Sequence, residues 1–414
     1  MKVTVWIIIC ICFPSFGFSQ VLVGLDRVFQ EETFTNWIKD KKITLITHSA
    51  AINSQGQNAL VVFSEGKKDC LLNILCTLEH GFYGATPAET PEYNPSIDRI
   101  RTVSLYGISE VPQHAVEGSD ILVYDVQDVG VRSYTFVTSL LHIVKASEKY
   151  NIPLIILDRP NPMGGNVIDG PLPKTNSGYI PEIPYCYGMT PGELALFYQA
   201  KYAPQAQVKV VPMKGWKRSM TFEETGLVWI PTSPQMPNAQ TTFFYATTGV
   251  IGALSIASIG IGYTLPFRVI GAPWMNGKLV AEELNKARLP GVTFYPFCYE
   301  PFFGKYKMEL CSGVFIVLNN PKAFFPMETQ CTILGIIKTL YPKETAEAFK
   351  TLNNIPMRRS SICRSLGGQE FLHICQHEKF ITWPLRKLCM DSRDTFQNLR
   401  RAYLLPEYSD EINN

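Results

Sequence analysis

The chain has 414 residues, 46% of them hydrophobic and 18% charged, which excludes a disordered or low-complexity protein and favours two domains. Its 38 Lys and Arg nearly balance 36 Asp and Glu, giving a net charge of +2. No basic excess is available to neutralise a phosphate backbone, so we predict no nucleic-acid partner.

The N-terminal segment, residues 1–19, has the pattern of a secretory signal peptide. Lys2 precedes an apolar run over residues 3–13, and small residues precede a cleavage site at Gln20. The run is too short for a stable membrane-spanning helix, which makes a retained anchor the less favoured alternative. We therefore expect an exported protein, periplasmic or secreted, with no stable membrane insertion after cleavage.

Five apolar, β-branched runs follow in the first half, and near-continuous apolar runs are typical of strands buried on both faces. They cover residues 43–47, 71–78, 102–105, 120–126 and 154–157. Helical spacing over residues 133–150 predicts one helix, and Thr190, Pro191 and Glu193 predict the capped start of another. This alternation predicts an α/β fold with a Rossmann-like parallel sheet.

Polar side chains stand where each predicted strand ends, and ligands bind outside the carboxyl ends of parallel strands. We predict a site at this edge, formed by His48, Glu79, His80, Tyr106, Gln127, Asp128, Asp158, Arg159 and Asn161. No glycine-rich phosphate-binding motif follows the first strand, so no nucleotide cofactor is expected.

The cysteines and histidines predict no metal site. Eleven cysteines, two of them in the leader, leave an odd number whose spacing fits no disulfide or zinc framework. His373 and His377 share a helix face, but no further ligand is near them in sequence, so a structural role is favoured. We expect no metal and no cofactor.

Glu79 is the candidate general acid of a glycosidase. A carboxyl group at the end of a buried strand is partly shielded from water, which favours the protonated form. Glycoside hydrolysis needs two carboxyl groups, and the second is predicted among Asp128, Asp158 and Asp169. Internal ion pairs with Arg132 or Arg159 are an equally favoured role for each aspartate.

Longer motifs recur from about residue 40 to the C-terminus: Glu-His-Gly at 79–81, Asp-x-Gln-Asp-x-Gly-x-Arg at 125–132 and Leu-Asp-Arg-Pro-Asn-Pro at 157–162. Together they resemble the NamZ-like family of exo-β-N-acetylmuramidases, formerly a domain of unknown function. The resemblance implies removal of MurNAc from the non-reducing ends of peptidoglycan fragments by a bacterial protein. It also implies a Rossmann-like catalytic domain and a smaller α+β auxiliary domain, with the site in the cleft between them.

A change of composition after residues 229–234 sets the boundary between the two domains, predicted at 20–235 and 236–414. By the resemblance, Glu79 matches the glutamate of the Glu-His-Gly motif. His80, Gln127, Asp128, Arg132, Asp158, Arg159 and Asn161 match polar positions around the cleft. Arg132 or Arg159 would grip the lactyl carboxylate of MurNAc, because a guanidinium binds a carboxylate through two hydrogen bonds.

The chain departs from the family pattern at several charged positions. Tyr83 and Ile261 stand where the family usually has arginine, Lys145 where it often has glutamate, and an apolar stretch near residues 252–253 replaces a Glu-Gly-Thr. These changes leave open an alternative function, a non-catalytic cell-wall sugar-binding protein on the same fold. They also predict a weaker preference for MurNAc over other amino sugars.

Overall fold

The computed structural model describes residues 20–65, 70–87, 100–173 and 182–410, so the predicted signal peptide lies outside the described residues. Its strands are β1 (Lys41–Thr47), β2 (Cys70–Thr77), β3 (Arg101–Ser104), β4 (Ile121–Asp125), β5 (Leu154–Leu157), β6 (Ile168–Asp169), β7 (Cys186–Tyr187), β8 (Val208–Val211), β9 (Val269–Ala272), β10 (Val292–Tyr299) and β11 (Cys311–Leu318).

Helices flank the strands in the first half and dominate the second. They are α1 (Gly24–Arg27), α2 (Glu32–Ile38), α3 (Ala59–Glu65), α4 (Phe136–Tyr150), α5 (Pro191–Tyr202), α6 (Thr241–Ala253), α7 (Gly277–Lys286), α8 (Pro326–Leu340), α9 (Pro342–Asn353), α10 (Pro356–Ser365), α11 (Glu370–His377) and α12 (Thr382–Leu399). Within the described ranges, no helix is long and apolar enough to cross a bilayer.

The first half forms a six-stranded sheet in the order β3-β2-β1-β4-β5-β8, and every neighbouring pair is parallel. The five predicted strands are β1 to β5, so the predicted α/β fold is confirmed. The chain runs outwards from β1 to β3 and then crosses to β4, so the order reverses between β1 and β4. In open parallel sheets, the loops after two such strands diverge and leave a crevice at the carboxyl edge, so the site is expected there.

Alternate residues of the central strands enter two separate cores, one on each face of the sheet. Ile46, Leu122 and Ile156 belong to the larger core, which α4 and α5 cover. Their neighbours Leu45 and Val123 belong to the core beneath α2 and α3. Burial on both faces explains why the strands are apolar at nearly every position.

The two predicted helices differ in how well their starts are predicted. Helix α5 begins at Pro191, and Thr190 and Glu193 form the expected capping box, each accepting a hydrogen bond from the backbone N–H of the other. Helix α4 begins at Phe136, three residues later than its spacing predicts. Ser133 and Thr135 lie in the turn before it, and their hydroxyl groups bond to other elements instead.

The second half contains a three-stranded antiparallel sheet, in the order β10-β11-β9, with α8 packed against α6 and α12. The predicted smaller α+β unit is therefore present, while its boundary at residue 236 stays a prediction. After α12 the chain returns to the first unit, where Arg400 donates to the carbonyl oxygens of Gly165 and Gly188. Tyr408 is fully buried there, edge-on to Trp216.

Candidate active site

Glu79 lies in the turn that follows β2 and is half-buried. The Thr135 hydroxyl donates to Glu79 Oε2 over 2.6 Å, and Oε1 accepts no hydrogen bond from the described residues. The next residue, His80, has a φ of 75°, so the chain turns sharply as it leaves the strand. His80 Nδ1 donates to the carbonyl oxygen of Thr86 over 2.7 Å. The turn is thus fixed on one side while one carboxylate oxygen of Glu79 stays available.

Tyr245 lies on α6 of the second unit, and its hydroxyl is near enough to Glu79 for the negative charge of that carboxylate to act on it. Its hydroxyl shares a hydrogen bond of 2.9 Å with Ser133 Oγ, which lies 2.8 Å from the hydroxyl of Tyr185. Burial, together with the negative charges of Glu79 and Asp128, raises the pKa of Tyr245 to about 12. Tyr245 therefore keeps its proton near neutral pH and, since Ser133 Oγ donates to Tyr185, donates that proton to Ser133 Oγ.

Asp128 is buried at the carboxyl end of β4. Its Oδ1 accepts hydrogen bonds from the backbone N–H groups of Val129, at 2.5 Å, and Gly130, at 3.2 Å. Burial raises its pKa to about 6, although these hydrogen bonds and one with the Tyr187 hydroxyl stabilise the charged form. The negative charges of Glu79 and Asp128 both raise the pKa of Tyr245, so both carboxyl groups lie in the neighbourhood of its hydroxyl.

His48 and Gln127 form a buried layer beneath the strand ends. His48 Nε2 accepts from the backbone N–H of Gln127 over 3.0 Å, so in the neutral ring the proton is on Nδ1. Burial, with the positive charge of Arg159 close by, lowers the pKa of His48 to about 3. The Gln127 side chain donates to the carbonyl oxygens of Asp128 and Pro160. Both residues hold the loops in place rather than face the crevice.

Asp158 is fully buried, and each of its carboxylate oxygens accepts two hydrogen bonds. Oδ1 accepts from the backbone N–H groups of Arg159 and Gly192, and Oδ2 accepts from the hydroxyls of Thr190 and Tyr408 at 2.8 and 2.6 Å. Burial raises its pKa to about 7. The carboxyl group joins β5, α5 and the C-terminal segment, and its contacts are those of a structural residue.

Arg159 and Asn161 are also bound within the protein. Arg159 forms a buried bidentate ion pair with Asp125, over 2.5 and 2.9 Å, and donates to the carbonyl oxygen of Ile52. The Asn161 amide donates to the carbonyl oxygen of Met189 over 3.1 Å. For Arg159, an internal ion pair is the alternative that the sequence leaves open, and its partner in the structure is Asp125.

Arg132 reaches across to the second unit. Its guanidinium donates to the carbonyl oxygens of Pro171, Ile183 and Ser365, over 2.6 to 2.9 Å, and is buried. Burial lowers its pKa to about 10, so it remains charged near neutrality. The group that was expected to grip a substrate carboxylate binds three backbone carbonyls, one of which, that of Ser365, lies at the C-terminal end of α10.

Asp169 lies away from Glu79, at the N-terminus of α8. Its Oδ2 accepts from the backbone N–H groups of Met327 and Glu328 at 2.8 and 3.1 Å, and Arg393 contacts Oδ1 at 3.3 Å. The side chain is fully buried, which raises its pKa to about 6. Asp169 thus caps a helix and pairs with α12 instead of entering the crevice with Glu79.

Tyr106 and the departing positions lie at the margins. Tyr106 is half-buried in the turn after the edge strand β3. Tyr83 is 62% exposed and Ile261 is half-buried. The Lys145 ammonium lies over the ring of Tyr202 on α5, 5.9 Å from its centroid. Among the described contacts, no residue at these changed positions places a cation beside the Glu79 carboxylate.

Sequence reasoning missed three hydroxyl residues of the site: Ser133, Thr135 and Tyr245. Ser133, Tyr134 and Thr135 follow the motif at 125–132, and this closeness in sequence was the signal available for Ser133 and Thr135. Tyr245 lies in an apolar helix, about 165 residues after Glu79, and carries no local signal.

His373 and His377 on α11 are the two histidines whose spacing in the sequence could suit a metal ion. The rings of His373 and His377 lie 4.5 Å apart, centroid to centroid, on the exposed side of the helix. Within the described ranges, no group of three or more His, Cys, Asp or Glu side chains is arranged to hold a metal ion.

Comparison with known proteins agrees with this architecture. Family models described as exo-β-N-acetylmuramidase NamZ match residues 43–240 (N-terminal model) and 243–405 (C-terminal model). The peptidoglycan β-N-acetylmuramidase NamZ of Bacillus subtilis (strain 168) is 36% identical over 332 residues, covering 78% of this chain and 79% of that protein.

Two crystal structures of DUF1343 family proteins from Bacteroides fragilis are also similar. One is 30% identical, with a TM-score of 0.83 over 93% of this chain and 99% of its own. The other, at 24% identity, supports the fold alone, with a TM-score of 0.68 over 95% of this chain and 100% of its own. The chain belongs to the NamZ family of exo-β-N-acetylmuramidases.

Proposed function

We propose that the protein is a glycoside hydrolase that removes MurNAc from the non-reducing ends of peptidoglycan fragments, with Glu79 as its general acid. The position of Glu79 carries this proposal. Its carboxylate is half-buried and, among the described residues, is held by Thr135 through one oxygen, in a chain 36% identical to a peptidoglycan β-N-acetylmuramidase.

Cleavage of a glycosidic bond requires a proton on the leaving oxygen while positive charge develops on the sugar ring. Glu79 Oε1, which accepts no hydrogen bond from the residues that the structure describes, can deliver that proton, since Thr135 orients the carboxyl group through Oε2. Tyr245 stays protonated and donates to Ser133 Oγ, so a neutral chain of hydroxyl groups lies near the acid. Both units contribute to the site, because Tyr245 belongs to α6.

We assign Asp128 a positioning role. It is buried and bound to Val129, Gly130 and Tyr187, so it acts on substrate through the tyrosine hydroxyls rather than by contact. Asp158 and Asp169 are assigned structural roles on the contacts described above. The same holds for Arg132, Arg159 and Asn161.

We further propose that the protein is exported, to the periplasm or the medium. The leader pattern of residues 1–19 supports this, as does the location of peptidoglycan outside the cytoplasmic membrane. N-terminal sequencing of the mature protein should begin at Gln20. An intact Met1 on protein recovered from cells would contradict the proposal.

The activity is tested by incubating the purified protein with MurNAc-GlcNAc and with longer glycans that begin with MurNAc. We expect single MurNAc units to be released from the non-reducing end, detected by mass spectrometry. Internal cleavage products would contradict exo action.

A second function is supported by Tyr83 and Ile261, which stand at positions where the family usually has arginine. If the protein is instead a non-catalytic sugar-binding protein, the disaccharide should bind measurably in calorimetry and remain uncleaved in the same preparation.

A further inference from the structure

Two cysteine thiols meet in the second unit, far along the chain from each other. Cys331 Sγ on α8 and Cys389 Sγ on α12 lie 3.9 Å apart, and both side chains are fully buried. The two helices pack against each other along this contact. All nine described cysteines are reduced in the structure.

We propose that Cys331 and Cys389 form a disulfide bond when the chain folds in an oxidising environment, cross-linking α8 to α12. A disulfide requires the sulfur atoms to be about 2.05 Å apart, so the gap must close by roughly 2 Å. Rotation about the two Cα–Cβ bonds moves the sulfur atoms while the helices stay in contact.

The surroundings of the pair determine when the bond can form. A hydrogen bond with Cys331, burial and the nearby charges of Asp169 and Glu328 raise the pKa of the Cys389 thiol well above its usual value. Only the thiolate attacks a disulfide, and a buried thiol is out of reach of an oxidant. The bond therefore forms during folding, before α12 closes over α8.

The cross-link would fix α12 where it joins the two units. Arg386 and Arg393 of α12 both pair with Glu328 of α8, and Arg393 also contacts Asp169 of the first unit. Holding α12 against α8 keeps these charges together. A cross-link over this span also lowers the entropy of the unfolded chain and so stabilises the folded one.

The reaction balances with a disulfide oxidant such as oxidised glutathione. One thiolate attacks the oxidant and forms a mixed disulfide, releasing one glutathione thiol. The second cysteine then attacks the mixed disulfide, and the Cys331–Cys389 bond forms as the second glutathione thiol leaves. The two cysteines lose two electrons in all, and their protons end on the two glutathione molecules. In the cell this step rests on the exported location proposed above, whereas the test below does not.

The test is to unfold reduced protein, refold it with a mixture of oxidised and reduced glutathione, alkylate the free thiols and digest with trypsin. Cys331, Cys389 and a third buried cysteine, Cys375 on α11, then fall in separate peptides. Cys331 lies in 323–338, Cys375 in 365–379 and Cys389 in 388–393. We expect peptide 323–338 to be linked to 388–393 after oxidative refolding and unlinked after refolding in dithiothreitol.

Alkylated Cys331 and Cys389 after oxidative refolding would overturn the proposal, as would a link from either of them to Cys375. Cys375 is the relevant competitor, because Cys331 lies close enough to contribute to the raised pKa of the Cys375 thiol. The wild-type protein suffices for this mapping, so a variant that fails to fold cannot obscure the result.

A second measurement uses two alanine variants. We expect oxidatively refolded wild type to melt several degrees above the dithiothreitol sample. Cys76→Ala should keep this difference, since buried Cys76 lies on β2 of the first unit, where its thiol donates to the carbonyl oxygen of Ala115. Cys389→Ala should abolish it. A difference that persists in Cys389→Ala would contradict the cross-link.

Discussion

Arg132 and Arg159 are buried arginines whose hydrogen bonds go to the protein itself. Tyr83 and Ile261 stand where the family usually supplies further cations. A charge-assisted contact to the lactyl group of MurNAc is worth roughly 1.5–3 kcal/mol, or about ten- to a hundredfold in selectivity. Within the described residues, Arg132 and Arg159 are engaged internally, and the side chains at positions 83 and 261 carry no charge that could make this contact.

We therefore predict that kcat/KM for para-nitrophenyl MurNAc exceeds that for para-nitrophenyl GlcNAc by less than about tenfold. The two substrates should be compared in one preparation, because the ratio cancels any error in active concentration. A preference for MurNAc of a hundredfold or more would show that another cation binds the lactyl carboxylate.

His48 makes a separate prediction about stability and pH. Its pKa is about 3 in the folded protein, against an ordinary value of 6.5, so the unfolded chain binds a proton that the folded one excludes. Stability from this group is fully present above about pH 6.5 and is lost as the pH falls towards 3, at up to about 1.4 kcal/mol per pH unit.

His48→Asn keeps an acceptor for the Gln127 N–H and removes the titration. The free energy of unfolding of wild type, relative to the variant, should fall as the pH is lowered from about 7.5 to 4 and be flat above 7. Urea denaturation over this range measures it. A difference that does not vary with pH would show that the pKa of His48 is the same in the folded and the unfolded chain.

At the scale of elements, α8 depends on a carboxylate from another part of the chain. Asp169 of β6 caps it and holds Arg393 of α12. We predict that Asp169→Asn lowers the free energy of unfolding by roughly 1.5–3 kcal/mol, since hydrogen bonds to a charged group are weakened. Turnover per folded molecule should stay within a few-fold of wild type.

The exposed Asp391, which pairs with Lys387 on α12, offers a matched control. Asp391→Asn should change neither stability nor turnover appreciably. Denaturant titration and an assay normalised to folded protein separate the two effects. If Asp169→Asn folds normally but loses a hundredfold or more in turnover, Asp169 is catalytic after all.

Sequence patterns predict an element well when its determinants are local. The capping box at Thr190 and Glu193 is complete within four residues, so the start of α5 is predicted correctly. The start of α4 is not, because Ser133 and Thr135 bond to Tyr185, Tyr245 and Glu79 from distant segments. Helical spacing alone does not reveal such competing contacts.

Over the whole molecule, local sequence patterns predict the sheet, whereas contacts between distant segments decide the roles of the residues in the site. Apolar runs buried on both faces predict the parallel sheet and the edge where polar residues collect. Whether the side chain of such a residue is bound within the protein depends on partners that are distant in sequence. Tyr408 donates a hydrogen bond to Asp158, Arg393 forms an ion pair with Asp169, and the carbonyl oxygen of Ser365 accepts from Arg132. Single-sequence patterns carry no sign of these pairings, and so the predicted site contained structural residues.

Glu79 accepts a hydrogen bond from Thr135 of the first unit, and its negative charge acts on Tyr245 of the second. The most direct test is the turnover and binding of MurNAc-GlcNAc by Glu79→Gln beside the control Glu117→Gln. Glu117 is 64% exposed and pairs with Arg101, which begins β3 and so lies at the opposite edge of the sheet.

Glutamine keeps the acceptor for the Thr135 hydroxyl but cannot deliver a proton, so we predict a loss of about 10²–10⁴-fold in kcat with binding retained. Glu117→Gln should match wild type in both measurements. Turnover by Glu79→Gln equal to that of wild type would contradict the assignment of the general acid.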